Sequence, residues 1–216
     1  MKKLLALVAM TVISVSALFA ENTFHIGAYI PVSPWTLDVD GHSVDYSNNG
    51  FGGFFDYTHV ADGGFVWKVN TGYASVSSSD IDDLTGGEFD LGFGFGGSPI
   101  HDSKMTLSIT GNFGLRVQTL SCSESYTHRE YDYYYSKYVT KTETLDTDFF
   151  DFMFYIGPEI SFTYRFHEHV GVFANMGIFY STGWYDIDAD YRSDNSSSGS
   201  VSGFTFEPKF GIAFTL

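Results

Sequence analysis

The chain is poor in the residues that exported domains most often use as staples. Its 216 residues include one cysteine, Cys122, so no disulfide can close within the chain. Stability must then come from a good core or from a membrane. Positive charge is scarce as well: 11 Lys and Arg stand against 26 Asp and Glu, a formal net charge of −15. That balance argues against nucleic acid and anionic surfaces as partners on charge alone. Beyond Phe19 no apolar run approaches the length of a membrane-spanning helix, and no segment repeats at helical spacing. Proline is limited to five positions, which leaves long stretches free to pair as sheet.

The first twenty residues differ from the rest. "MKKLLALVAMTVISVSALFA" places two lysines before an apolar run from Leu4 to Phe19 and ends on the small residue Ala20. Charge, length and end chemistry are those of a secretory signal peptide, with cleavage expected before Glu21. No cysteine follows that site, which argues against a lipid anchor. Residues 21–216 are then expected to form one domain.

Aromatic residues make up 19% of the chain, 22 of them phenylalanine, alongside 23 glycines. That composition, with few helix formers, points to β structure. Strict alternation then recurs along the chain. In "KMTLSITGNFGLRVQ", residues 104–118, one face reads Met105, Leu107, Ile109, Gly111, Phe113, Leu115, Val117 and the other Thr106, Ser108, Thr110, Asn112, Gly114, Arg116, Gln118. Residues 149–164 likewise oppose Phe150, Phe152, Phe154, Ile156, Ile160, Phe162 and Tyr164 to Asp151, Gly157, Glu159, Ser161 and Thr163. Eight such runs are predicted as strands, at about 23–32, 50–60, 65–75, 86–95, 104–118, 148–164, 170–182 and 203–216.

Short turns are expected at 61–64, 96–103 and 165–169, and long polar stretches at 33–49, 76–85, 119–147 and 183–202. Short connections at one end and long ones at the other predict an all-β fold. It is an eight-stranded antiparallel up-and-down transmembrane β-barrel, with short periplasmic turns and long extracellular loops. A soluble lipocalin-like barrel also alternates, but would turn its apolar face inward. Three features favour the membrane. Glycines lie on the polar face (Gly92, Gly94, Gly114, Gly157, Gly171, Gly177, Gly211), where a narrow lumen needs them. The bulky face is nearly continuous phenylalanine. Trp67, Tyr73, Tyr164, Tyr180 and Trp184 fall near strand ends, as interface girdles do.

The chain closes on "KFGIAFTL". Lys209, Gly211, Phe214 and Leu216 fit the C-terminal assembly signal of bacterial outer-membrane barrels, although Leu216 stands where Phe or Trp is usual. With the signal peptide and the eight strands, the chain resembles the small outer-membrane barrels grouped around the outer-membrane protein A transmembrane domain and its X- and W-type relatives. The resemblance implies a bacterial outer-membrane location, with the loops exposed at the cell surface. It also implies insertion by the barrel assembly machinery and a monomer surrounded by outer-membrane lipid. It implies no single activity.

By parity the lumen holds Asp56, Lys68, Glu88, Asp90, Arg116, Asp151, Glu159, Glu207 and Lys209, six acids against three bases. A salt-bridged plug is expected; a narrow cation-favouring water path is the alternative. Pro158 and Pro208 face outward beside inward glutamates and predict a bulge or interrupted pairing. The acidic loop "DIDADYRSDN" fails the calcium-loop template, with Tyr191 where the turn glycine belongs. His101 and Ser103 share a predicted turn, and His25, His59, His128, His167 and His169 form no ligand or triad pattern. No cofactor, no metal and no enzyme activity are expected. A lipid-modifying barrel enzyme is the third choice, behind a structural or adhesive surface protein and a passive narrow channel for small or hydrophobic solutes.

One composition stands out. "THREYDYYYSKYVTKTET", residues 127–144, sets Tyr131, Tyr133, Tyr134, Tyr135 and Tyr138 among charges, with Tyr126 just before. Alternation continues through the stretch, so a hairpin rising from the membrane is expected, with its tip near 132–135. Tyrosine with serine gives large amphipathic contacts at low entropic cost, which makes loop 119–147 the candidate for an extracellular or host ligand.

Overall fold

The computed structural model describes residues 20–216 apart from 40, 41, 82, 133, 136 and 192, and describes no side chain at 20, 39, 126, 132, 189–191 or 193–195. The expected signal segment therefore lies outside the described residues, save for the backbone of Ala20. So do Tyr133 and the side chain of Tyr126.

Among the described residues nine strands follow one another: β1 Ala20–Tyr29, β2 Val32–Val39, β3 His42–Ala61, β4 Phe65–Ser78, β5 Thr85–His101, β6 Met105–Asp132, β7 Lys137–His167, β8 Val170–Tyr191 and β9 Ser193–Thr215. All neighbours are antiparallel. β1 and β2 share one place in the ring, each paired to β3 on one side and to β9 on the other, so the sheet closes with eight positions. A closed ring has no free edge through its wall.

The predicted first strand is thus broken at Ile30–Pro31. Pro208 of β9 stands opposite the break, and Ile30 N–H donates to its carbonyl at 3.1 Å. Register is the same on both sides, Tyr29↔Lys209 below and Val32↔Phe206 above. At Pro158 the β7–β8 ladder omits two rows and resumes in register from Ile156↔Tyr180 to Glu159↔Gly177. Each proline removes a donor without adding a residue, so pairing is interrupted and no bulge forms. Register shifts lie elsewhere, between Arg165 and His167 on β7 and between Gly97 and Ile100 on β5. At the latter the buried Ser98 hydroxyl bonds the carbonyls of Ile100 and Leu107 at 2.8 and 2.9 Å. "GGSPIHDS" is therefore mostly strand, with its turn at 102–104. The tighter turn after β3 depends on Gly64, whose φ of 78° suits a residue without a Cβ.

Strands outrun the predicted limits at the long-connection end. β7 has 31 residues, and its register with β6 is unbroken from Met105↔Tyr164 to Asp132↔Lys137. The polar stretches are rich in Ser, Thr and Tyr, which pair well across antiparallel strands, so they extend the hairpins where loops were expected. β5 leaves β6 after Ser121, and β8 leaves β7 after Thr147. The β6–β7 hairpin then continues alone for 11 residues on β6 and 10 on β7, about 35 Å at strand rise. Cys122 sits at its root, half-buried against the Leu120 cluster.

Alternation sorts the two faces of the wall. Outward lie large apolar residues, among them Phe51 at 64%, Ile156 at 65% and Phe113 at 48% exposed. Inward lie the polar residues, but not these alone. Tyr29, Phe54 and Phe173 pack inside with Ala74, Val76, Leu84 and Leu120, and toward the hairpin end Trp35, Leu37, Tyr46, Met153, Tyr185 and Val201 form a second buried cluster. The lumen is a packed core with a polar middle, more apolar at the hairpin end than a purely salt-bridged plug.

Candidate functional site

The polar middle is one connected chain of charges. His25 Nδ1 lies 3.3 Å from Asp56, which accepts from Lys68 Nζ at 3.0 Å. Lys68 also bonds Glu159, which takes Lys209 Nζ at 3.2 Å, and Lys209 reaches Glu207 at 3.0 Å. Glu207 bonds Arg116, whose Nε meets Asp90 at 2.8 Å and approaches Glu88 at 3.6 Å. Every member is at most 6% exposed by side chain. Seven of the nine strands contribute, so the chain ties opposite sides of the ring together.

Neutral groups complete it. Arg116 Nη1 donates to Thr205 at 2.6 Å, and its guanidinium lies 5.3 Å from the Tyr155 ring centre. Tyr29 donates to Asp90 at 3.2 Å; Gln118 donates to Glu88 at 3.1 Å and accepts from Asn48 at 3.0 Å. Lys209 stands 5.6 and 5.7 Å from the Phe54 and Phe179 rings. Such pairing is what a buried charge needs to remain charged.

Asp151 departs from the expected network. It is inside and 2% exposed, but its partner is the Tyr46 hydroxyl at 3.4 Å, and no base reaches it among the described residues. Parity puts it on the correct face, yet it lies beside the apolar cluster at the hairpin end. His25 joins the network in its stead, with Nε2 also 3.1 Å from the Thr163 hydroxyl. Its inward parity was the available signal. Met153 and Tyr155 share the parity of Asp151 and also fill the lumen, fully buried.

Inward glycines make room for this packing. A Cβ on Gly92 would strike the Tyr155 hydroxyl and come within 2.6 Å of Asn70 Oδ1; one on Gly94 would strike Asn112 Oδ1.

At the short-turn end Arg165 closes the mouth. It ion-pairs with Glu21, donates to the carbonyls of Asp102 and Ser103, and so joins β7 to β1 and to the β5–β6 turn. Within that turn the N–H groups of Lys104 and Met105 each donate to Asp102 Oδ1 at 2.7 Å and hold its carboxyl below the ordinary carboxylate range. Both ring nitrogens of His101 face carbonyls, those of Ser98 and Asp62, at 3.1 and 3.3 Å. Ser103 is not among its partners.

The terminal strand closes the ring. Gly27 and Gly211 are direct partners across β1–β9, and a Cβ on either would meet the other strand's backbone. Lys209 points inward, while Phe214 and Leu216 face outward, the latter 75% exposed. Among the aromatics, Trp184 stacks on Phe152 at 4.7 Å, Trp67 packs near Tyr57 and His59, and Tyr180 packs near Phe204 at 5.4 Å. Tyr73 and Tyr164 are 61% and 42% exposed on the same outer wall.

The free hairpin carries the tyrosines. Tyr131 and Tyr138 are direct cross-strand partners with ring centres 5.1 Å apart, and Tyr134 and Tyr135 meet edge-on at 5.0 Å. Tyr134 is 88% exposed and Lys137 Nζ stands 5.5 Å from the Tyr135 ring. The tip of "DIDADYRSDN" lies outside the described side chains. No group of metal-ligating residues is found among the described residues.

No protein-family model matches the chain. No curated protein matches it either. Solved structures do. The outer membrane protein OprG from Pseudomonas aeruginosa is 11% identical with a TM-score of 0.55, over 92% of this chain and 96% of that one. A major outer membrane protein from Thermus thermophilus is 12% identical with a TM-score of 0.50, over 88% and 99%. The chain has the fold of the small outer-membrane β-barrels.

Proposed function

We propose that the chain is an integral protein of the bacterial outer membrane that keeps its lumen closed and acts through its surface hairpins, as a structural or adhesive protein. Residues 1–20 direct export, the barrel assembly machinery inserts the strands using the terminal Lys209–Leu216 segment, and the product is a monomer bounded by outer-membrane lipid. The short turns lie in the periplasm and the hairpins outside the cell. No catalytic step is part of this reading. The observation that carries it is the pairing of a closed interior with a projecting hairpin. The ion-pair chain and two apolar clusters fill the barrel, while β6–β7 continues about 35 Å beyond its neighbours with exposed tyrosines at the tip.

The test compares cells carrying the full protein with cells in which residues 124–144 are replaced by a short turn, in a screen against host cells, matrix and neighbouring bacteria. Loss of an interaction supports the reading; if every interaction survives, the adhesive role is lost.

A passive narrow path is the second reading. It is favoured by five networked acids against three permanent bases, and by buried acceptors without a partner, Asn70 Oδ1 and Asn112 Oδ1. Discrete conductance of purified protein in a planar bilayer would favour it over the first.

A further inference from the structure

The free β6–β7 hairpin has two chemically different faces. Register places Ser123 with Asp146, Ser125 with Thr144, Thr127 with Thr142, Arg129 with Thr140 and Tyr131 with Tyr138 on the outer face, continuous with the outer wall of the barrel. The opposite face pairs Glu124 with Leu145, His128 with Lys141 and Glu130 with Val139, and also carries Glu143 and Lys137. Of the described charged side chains from 124 to 144, all but Arg129 lie on that inner face. There they bond one another, Lys141 to Glu130 at 2.5 Å and His128 to Glu143 at 3.8 Å.

The outer face is accordingly a hydroxyl strip, two residues wide and about 27 Å long at strand rise, ending in the Tyr131–Tyr138 pair. Its hydroxyls are exposed, and the contacts between them are local: Ser123 to Asp146 at 2.6 Å and Ser125 to Thr144 at 3.4 Å. Asp146 and Arg129, at opposite ends, leave the strip with no net charge. Cross-strand partners stand about 5 Å apart and successive same-face residues about 7 Å apart, a spacing comparable to that between hydroxyls on neighbouring sugar rings. At its end, Tyr138 is 70% and Tyr131 38% exposed, with ring surface for the apolar face of a sugar.

From this segregation we infer that the outer face of the hairpin binds an uncharged polysaccharide, laid along the strip with a sugar ring against the tyrosine pair. A polyanion gains nothing from the strip, which offers one arginine, and is repelled by Asp146 at its base. A protein partner with a charged epitope is better matched to the inner face, which carries the glutamates and lysines. The inference rests on the surface display proposed above and names the chemistry of what the hairpin recognises.

The experiment uses the full chain folded in detergent. Neutral glucose, galactose and mannose hexasaccharides are titrated against it, with sulfated and uronic-acid hexasaccharides as comparators. Saturable binding of at least one neutral hexasaccharide is expected. Thr142→Glu, which puts charge on the strip, weakens that binding about tenfold, as does Tyr138→Ala, while Glu143→Gln on the inner face leaves it unchanged. All three positions are surface-exposed or half-exposed, and heat-dependent gel mobility verifies that each variant is folded. Stronger binding of the anionic sugars, or loss through Glu143→Gln with none through Thr142→Glu, overturns the inference. So does hairpin-dependent attachment to cells without binding of any neutral hexasaccharide, and in that case the adhesive reading stands while the polysaccharide does not.

Discussion

Arg116 and Asp90 are direct cross-strand partners on β6 and β5, and the guanidinium Nε stands 2.8 Å from the carboxylate in the centre of the barrel. Three further groups, Glu88, Glu207 and Thr205, converge on the same fully buried guanidinium. Removing it leaves Glu88 and Asp90 buried without their base, and Glu207 with Lys209 alone. Arg116→Ala is expected to cost about 3–5 kcal/mol, the scale for breaking a buried pair from one side. Urea unfolding followed by gel mobility measures this. Arg116→Lys restores part of the loss, since a point charge replaces the fork. Equal stability of the alanine variant would mean that the network carries no net load.

Gly92 and Tyr155 share one small volume. Gly92→Ala drives a methyl into the tyrosine hydroxyl and should cost roughly 1–3 kcal/mol through overpacking. Tyr155→Phe removes the obstructing oxygen. The double variant is expected to be more stable than the sum of the two single losses predicts, and a double-mutant cycle on unfolding midpoints reads that coupling.

The three tryptophans divide between the two faces of the wall. Trp35 is 2% exposed inside, whereas Trp184 is 52% exposed outside and Trp67 lies on the same outer wall. In single-tryptophan variants reconstituted with bromine-labelled lipid, Trp184 and Trp67 should be quenched and Trp35 should not. Absence of quenching at Trp184 and Trp67 would mean that the apolar face does not meet lipid, as in a soluble barrel.

Asp102 gives the β5–β6 turn a dependence on pH. Its carboxylate accepts two backbone bonds, so its folded pKa is depressed, and the stabilisation is present above the unfolded value and lost as pH falls through the folded one. Exchange of the Lys104 and Met105 amides, taken relative to the intrinsic rate at each pH, should therefore be slow at neutral pH and accelerate in acid. Asp102→Asn is expected to abolish that extra acceleration. An identical pH profile for the variant would remove the carboxylate from the account.

Much of this fold is legible from parity. Two-residue alternation tells which side of the wall Phe113 and Arg116 take, and turn chemistry separates the strands. Height is the part that parity does not carry. Which inward residues meet depends on the tilt and stagger of the strands around the ring. Lys68 therefore finds Glu159 from 91 positions away, while Asp151 meets Tyr46 and no base. Strand length is hard to read for a related reason: Ser, Thr and charged residues above the apolar band look like loop until their cross-strand partners are known. Inside, Met153 and Tyr155 are hidden by composition, since an apolar residue of inward parity does not fit a polar lumen until a cluster is there to receive it.

The ion-pair chain also makes the closing strand indispensable. Its acids and bases come from distant parts of the sequence: Lys68 pairs with Glu159, and Arg116 with Glu207, each 91 residues later. His25, Asp56 and Lys68, from the amino-terminal third, thus share one network with Glu159 and Lys209 from the far end of the chain. Asp56 and Lys68 neutralise each other across β3 and β4, but Arg116 takes its third acid, Glu207, from β9. Without β9 in place Arg116 lacks Glu207 and Glu159 lacks Lys209. Closure of the ring and balance of the lumen charges are thereby one event, because the strand that pairs with β1 also carries Glu207 and Lys209.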